Sequence, residues 1–208
     1  VVGSAPVGLE GTDAWLGAIG AACGVGQAKV DAARNAMLPA LRGVLAGSRI
    51  ESRITLSGYE GSELIVGRLL AECGADLRYV GTACPRTPAA EADRAWLAAR
   101  GVHVEFRASL EQDLQAFAAF RPDLAIGTTP VVQHAKAAGT PALYFTNLIS
   151  ARPLMGPAGP AALASVVNAA LASKPRFDAM RAFFDGVGEG GTAGIWPRPT
   201  APAPGRAA

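Results

Sequence analysis

Four short stretches of this chain carry side chains able to bind a ligand or react with one. Asn147, Ser150 and Arg152 follow the apolar run Ala142 to Phe145, in a segment that ends in Pro and Gly. Arg152 is the one charged residue between Gly139 and Ser173. A guanidinium set in such a run calls for a specific partner, either a ligand carboxylate or an acidic side chain across a subunit interface. In Gly58-Tyr59-Glu60-Gly61-Ser62-Glu63, two glycines permit close backbone approach and the following helix offers free N–H groups. That loop either lines a ligand site or simply sets two acids against a helix dipole. Arg86, in Cys84-Pro85-Arg86, is suited to a carboxylate ligand or to solvent, and a lone Cys84 reads as a packing thiol more readily than as a ligand. Thr128-Thr129-Pro130 pairs hydroxyls that can cap a helix with a proline suited to its first turn.

These stretches gain meaning from the elements before them. A βα alternation runs through the middle of the chain. Strands are predicted at 53–56, 77–80, 102–106, 124–126 and 142–144, with helices at 62–73, 89–100, 109–120 and 130–138. Gly74, Gly101 and Gly139 close three of those helices, and Ser109 with Gln112 forms a capping box for the fourth. Each candidate stretch therefore falls just after a strand. The fold class is α/β: a Rossmann-like parallel five-stranded sheet flanked by helices, with strand order 3-2-1-4-5. In such sheets ligands bind at the carboxyl ends of the strands. Asn147 to Arg152 is expected to be a loop.

Earlier in the chain, helices are expected at 11–24, capped by Thr12, and at 27–47, where Pro39 should kink or interrupt the helix. Helices at 160–173 and 176–185 should follow the Arg152 segment. Residues 1–48 read as the end of a preceding α/β domain with connecting helices, 49–186 as the Rossmann-like domain and 187–208 as a loosely ordered tail. The chain opens on Val1-Val2-Gly3 without a Met, so it is expected to be the C-terminal part of a longer protein.

Composition narrows the function class. The 208 residues are 50% hydrophobic and 17% charged, enough to bury a full core. A net charge of +2 gives no case for nucleic acid. No apolar run reaches membrane-spanning length. Three cysteines without a CxxC fit free thiols in a reducing compartment. His103 and His134 share no ligand spacing, and His134 reads as a surface residue. There is no P-loop, HExxH or ordered Ser-His-Asp set. A nucleotide-sugar transferase would want a basic grip on a diphosphate, which Glu60 and Glu63 do not offer.

The wording of several segments is more specific. VGSAPVGLEGTDAWL, RITLSGYEGSELIVGRLLAECGADLRYVGTACPRT, FRASLEQDLQAF, RPDLAIGTTPVVQHAKAAGTPALYFTNLISARPLMGPAG and FFDGVGEG resemble the Y-type subunits of chlorophyllide a reductases. These are nitrogenase-like enzymes of bacteriochlorophyll biosynthesis. The resemblance runs to about Trp196. It implies an oxidoreductase acting on CH–CH groups, an ATP- and ferredoxin-dependent reduction of the ring B C7=C8 bond of chlorophyllide a. It implies a Z subunit as partner and an iron–sulfur ATPase subunit X that binds ATP-Mg. It also implies a [4Fe-4S] cluster whose Y-subunit cysteines lie upstream of this segment, so Cys23, Cys73 and Cys84 are assigned no metal and the segment alone should be inactive. A cytoplasmic location goes with this reading. The alternatives are a subunit of dark-operative protochlorophyllide reductase or a non-catalytic tetrapyrrole or cofactor carrier on the same fold. By position, the expected substrate-binding set is Tyr59, Glu60, Arg86, Thr128, Asn147, Leu148, Arg152 and Met155. Leu148, Ile149, Leu154 and Met155 would supply apolar surface and Arg152 or Arg86 would hold a propionate.

Overall fold

The computed structural model describes residues 5–150 and 153–184. Five strands form one parallel sheet: β1 (Arg53–Ser57), β2 (Asp76–Thr82), β3 (His103–Phe106), β4 (Leu124–Gly127) and β5 (Ala142–Tyr144). Their order is β3-β2-β1-β4-β5, as the alternation implied. β1 and β4 are neighbours although the chain leaves β1 toward β2, so the topological switch point lies between them. Residues 54–57 of β1 and all of β4 are buried, as expected for a parallel sheet covered on both faces.

Nine helices are described: α1 (Gly8–Ala22), α2 (Gln27–Gly47), α3 (Glu63–Glu72), α4 (Pro88–Ala98), α5 (Leu110–Phe120), α6 (Thr129–Ala137), α7 (Phe145–Ser150), α8 (Ala158–Ala172) and α9 (Lys174–Phe184). The α3 side carries the main core, where Ile54, Leu56, Leu69, Leu124, Ile126 and Leu163 are fully buried. α5 and α6 cover the opposite face with a smaller apolar cluster of Phe117, Ala125, Val131 and Ala135. Alternation along β1 thus sends Ile54 and Leu56 to one side and Thr55 and Ser57 to the other. The β1–β2 register slips by one residue between Ile54↔Leu77 and Thr55↔Tyr79. This irregularity at Arg78 turns Tyr79 onto the α5 face.

Several local expectations are corrected. Thr12 does not cap α1. The helix starts at Gly8, and the Thr12 hydroxyl lies buried inside it, donating to the Gly8 carbonyl. The free N–H groups of Leu9 and Glu10 donate instead to the carboxylate of Glu72 on α3. Burial raises the Glu72 pKa, opposed by those two N–H bonds. Gly8 has φ +68°, and a Cβ there would lie 2.3 Å from Glu72 Oε2, so this junction requires glycine. Pro39 does not interrupt α2, because it faces solvent while Leu38 and Leu41 hold the helix to the core. The 145–150 segment is not a loop. Phe145, Leu148 and Ile149 recur at helical spacing and fold down onto the core as α7, directly from β5. The predicted capping box of α5 is present, with Ser109 N donating to Gln112 and Gln112 N to Ser109 Oγ. No helix among the described residues is long and apolar enough to cross a membrane. The 187–208 tail lies outside the described residues.

Candidate functional site

Strand ends and helix starts meet above β1, β4 and β5. β1 delivers Gly58 to Gly61, β4 delivers Thr128 and β5 leads into α7 with Thr146 and Asn147. All emerge at the carboxyl end of one sheet. Gly127, Thr128, Thr129, Tyr144, Thr146 and Asn147 line an open cleft of about 390 Å³.

Two glutamates build its lip. Glu63 is the first residue of α3 and is fully buried. Its Oε1 accepts from the N–H of Glu60 at 2.8 Å and of Gly61 at 3.0 Å, and its Oε2 accepts from Thr82 Oγ1 at 2.6 Å. One carboxylate therefore folds the β1–α3 loop and pins it to the end of β2. Glu60 then spans the site: its Oε2 accepts from Tyr59 N and its Oε1 from Thr146 Oγ1. That second bond ties the loop after β1 to the helix after β5. Gly58 makes the junction possible. A Cβ there would lie 2.7 Å from both Glu63 Oε1 and Phe145 Cδ1. Tyr59, on the same loop, is left 53% exposed.

The remaining predicted residues are distributed as follows. Thr128 is the N-cap of α6, but its hydroxyl makes no capping bond and is a buried oxygen without a partner. Asn147 is exposed on the cleft wall. Leu148 is in the core, 4% exposed, so it braces α7 from below rather than presenting apolar surface. Met155 is 60% exposed, but it lies opposite Val7 in an isolated antiparallel bridge that ties its segment to the start of α1. It is not among the residues lining the cleft. Arg86 pairs with Glu91 at 3.0 Å and its guanidinium lies over the Phe106 ring at 4.6 Å. It belongs with Cys84, Phe106 and Arg107 to a second depression of about 270 Å³ at the ends of β2 and β3. The structure therefore separates Arg86 from Thr128 and Asn147. Arg152 lies outside the described residues.

Sequence reasoning did not single out Thr146, Tyr144 or Arg107, and it treated Glu63 as a helix-dipole acid. Arg107 has φ +55°, an uncommon backbone conformation for a side-chain-bearing residue. Glu63 carried a legible signal: an acid spaced three residues beyond Glu60, where its carboxylate can reach back to loop N–H groups.

An iron–sulfur cluster needs converging thiolates. Cys23 is exposed at the end of α1, Cys73 is buried in the core and Cys84 sits on the β2–α4 loop. Burial first, then the charge of Glu72, pushes the Cys73 thiol up to about 12. Among the described residues no three His, Cys, Asp or Glu side chains are grouped to hold a metal. These residues do not fit such a cluster.

Comparison with known proteins places the chain. Residues 1–172 match the family model described as nitrogenase component 1 type oxidoreductase. The chain is 67% identical over 196 residues to the chlorophyllide reductase 52.5 kDa chain of Cereibacter sphaeroides, and 63% identical to that of Rhodobacter capsulatus. Each alignment takes in 94% of this chain and 39% of the relative, so the chain spans about two fifths of the curated relatives it matches. Two solved structures titled "Nitrogenase Cp1", at pH 6.5 and pH 5, share the fold with TM-scores of 0.57 and 0.58 at 20% and 12% identity. They cover 82% and 83% of this chain, and 39% and 42% of their own chains are matched. With most of its length matched by the family model and its parallel sheet shared with those structures, the chain belongs to the nitrogenase component 1 type oxidoreductases.

Proposed function

We propose that this chain is the C-terminal part of the catalytic component of a chlorophyllide a reductase, which reduces the ring B C7=C8 bond. The observation that carries the reading is the 67% identity over 94% of the chain to a relative named for chlorophyllide reduction. The cleft above β4 and β5 supports it. That cleft offers hydroxyl, amide and aromatic side chains without a buried charge on its wall, as suits a macrocycle held by apolar contact and a few placed polar groups.

In this reading Thr146 and Asn147 are the polar contacts, Thr128 lines the cleft floor, and Tyr59 with Glu60 forms the lip. Arg152 holds the substrate carboxylate. Arg86 and Arg107 form a second, positively charged subsite. Residues 1–48 finish a preceding domain and 49–186 form the Rossmann-like unit. The Z subunit completes the pocket, and the iron–sulfur ATPase subunit X, which binds ATP-Mg, delivers electrons. The [4Fe-4S] ligands lie upstream, and the enzyme is cytoplasmic.

The test uses the assembled reductase containing the full-length chain, supplied with reductant and ATP and given chlorophyllide a or protochlorophyllide. Consumption of chlorophyllide a alone, with the absorbance change of a ring B-reduced product, is the expected result. Consumption of protochlorophyllide would assign the chain to the other reductase. Pigment binding without turnover would make it a carrier.

A further inference from the structure

The depression at the ends of β2 and β3 lies at the same end of the sheet as the cleft, across β1 from it. Cys84, Arg86, Phe106 and Arg107 line its volume of about 270 Å³. That falls short of the roughly 300–1,000 Å³ usual for drug-sized ligands, so it suits a small group and not a macrocycle.

Buried hydrogen bonds build its walls. Thr82 ends β2 and is 1% exposed. Its hydroxyl donates to Glu63 Oε2 at 2.6 Å and accepts from the N–H of Cys84 at 3.0 Å, at the start of the segment that carries Arg86. Its carbonyl accepts from the N–H of Arg107 at 2.6 Å. One buried residue therefore ties down both arginine-bearing segments. Arg86 is held again at its far end: its guanidinium lies over the Phe106 ring at 4.6 Å, and Nη1 donates to Glu91 at 3.0 Å. Arg107 sits at φ +55° between the end of β3 and Ser109, the cap of α5, so a strained residue carries the second guanidinium.

The charges favour an anion. Glu91 Oε1 faces Arg86 and its Oε2 faces Arg94 at 2.7 Å, so one carboxylate answers two guanidiniums. Arg107 makes no ion pair among the described residues. Glu63 and Asp93 also act on Cys84, but Glu63 is taken up by its three donors and Asp93 by Arg68 at 2.6 Å. Burial first, then those two acids, raises the Cys84 thiol, which stays neutral at pH 7 and adds no negative charge. A guanidinium fork matches the paired oxygens of a carboxylate or phosphate.

We propose that Arg86 and Arg107 bind a small oxyanion, a carboxylate or phosphate group, in this depression. Its role beside the pigment rests on the reductase reading; the binding itself does not. β2 lies two strands from β4, about 10 Å at the usual strand spacing. The anion is therefore either a free ion or an acidic group of a ligand seated in the cleft.

The probe is inorganic phosphate, titrated by calorimetry into the assembled reductase with the full-length chain and no pigment. Arg86→Gln and Arg107→Gln are each expected to weaken phosphate binding about tenfold or more, with the melting temperature unchanged because both residues are exposed. Arg42→Gln, an equal loss of charge at an exposed position of α2, is expected to leave binding as in wild type. Absence of phosphate binding in wild type overturns the proposal. So does binding that both site variants keep, or that Arg42→Gln weakens equally, since either makes phosphate an adventitious ion only. A second titration separates the two sources. Phosphate that competes with chlorophyllide a but not with its propionate methyl ester identifies the anion as the carboxylate of the substrate; phosphate that competes with neither identifies a free ion. Both results keep the site. A complex that binds phosphate through these arginines yet leaves chlorophyllide a unreduced counts against the reductase reading and leaves the oxyanion site standing.

Discussion

Glu63→Ala is expected to destabilise the chain by about 3–5 kcal/mol, a large share of the net stability of a domain this size. The reason is the number of donors that depend on one buried carboxylate. The N–H groups of Glu60 and Gly61 and the hydroxyl of Thr82 all donate to it. Hydrogen bonds to a charged acceptor are worth about 1.5–3 kcal/mol each, and a donor left buried without a partner adds its own desolvation cost. Glu63→Gln separates charge from connectivity. Its amide oxygen can still accept from the two backbone N–H groups, and its NH2 can donate to Thr82 Oγ1. The Gln variant should therefore lose less than half as much as the Ala variant. Urea unfolding of the two variants beside wild type measures this, and equal losses would show that Glu63 is not the organiser of the loop. Since that loop carries Tyr59 and Glu60, the Ala variant should also lose pigment binding in the assembled enzyme.

Phe145→Ala is the second large effect, about 3–5 kcal/mol. Phe145 is 1% exposed and links β5 to α7. Its ring packs where a Gly58 side chain would otherwise be, so its removal opens a cavity between the two segments that Glu60 and Thr146 hold together. The cost has two parts, lost apolar burial and a void that the rigid strand ends cannot close. Phe145→Leu fills most of the volume and should recover more than half of the loss. A melting series of Phe, Leu and Ala at this position gives the ranking. A flat series would mean that α7 is not anchored by this ring.

The legible parts of the fold were those with local causes. The capping box at Ser109 and Gln112 and the closing glycines Gly74, Gly101 and Gly139, all at positive φ, could be read from a few residues each. The strand order was the usual one for a doubly wound sheet, to which the βα alternation pointed. What escaped depended on distant partners. The start of α1 is fixed by Glu72, more than sixty positions along the chain, so Thr12 was a plausible but wrong cap. Which face Tyr79 occupies depends on the register slip beside it, which no periodicity reveals. Among the candidate site residues, position after a strand correctly placed Tyr59, Glu60, Thr128 and Asn147 at one end of the sheet. It could not show that Leu148 turns inward or that Arg86 finds Glu91 and Phe106.

We propose that the cleft between Thr128 and Asn147 is one wall of the pigment site. It is tested most directly by filling that cleft and titrating chlorophyllide a into the assembled reductase by absorbance. Asn147→Trp places an indole on the cleft wall, and Leu110→Trp places one on the exposed start of α5 as a control. Binding should weaken by about tenfold or more, some 1.4 kcal/mol, for Asn147→Trp and stay unchanged for the control. An Asn147→Trp enzyme that binds chlorophyllide a as tightly as wild type would contradict it.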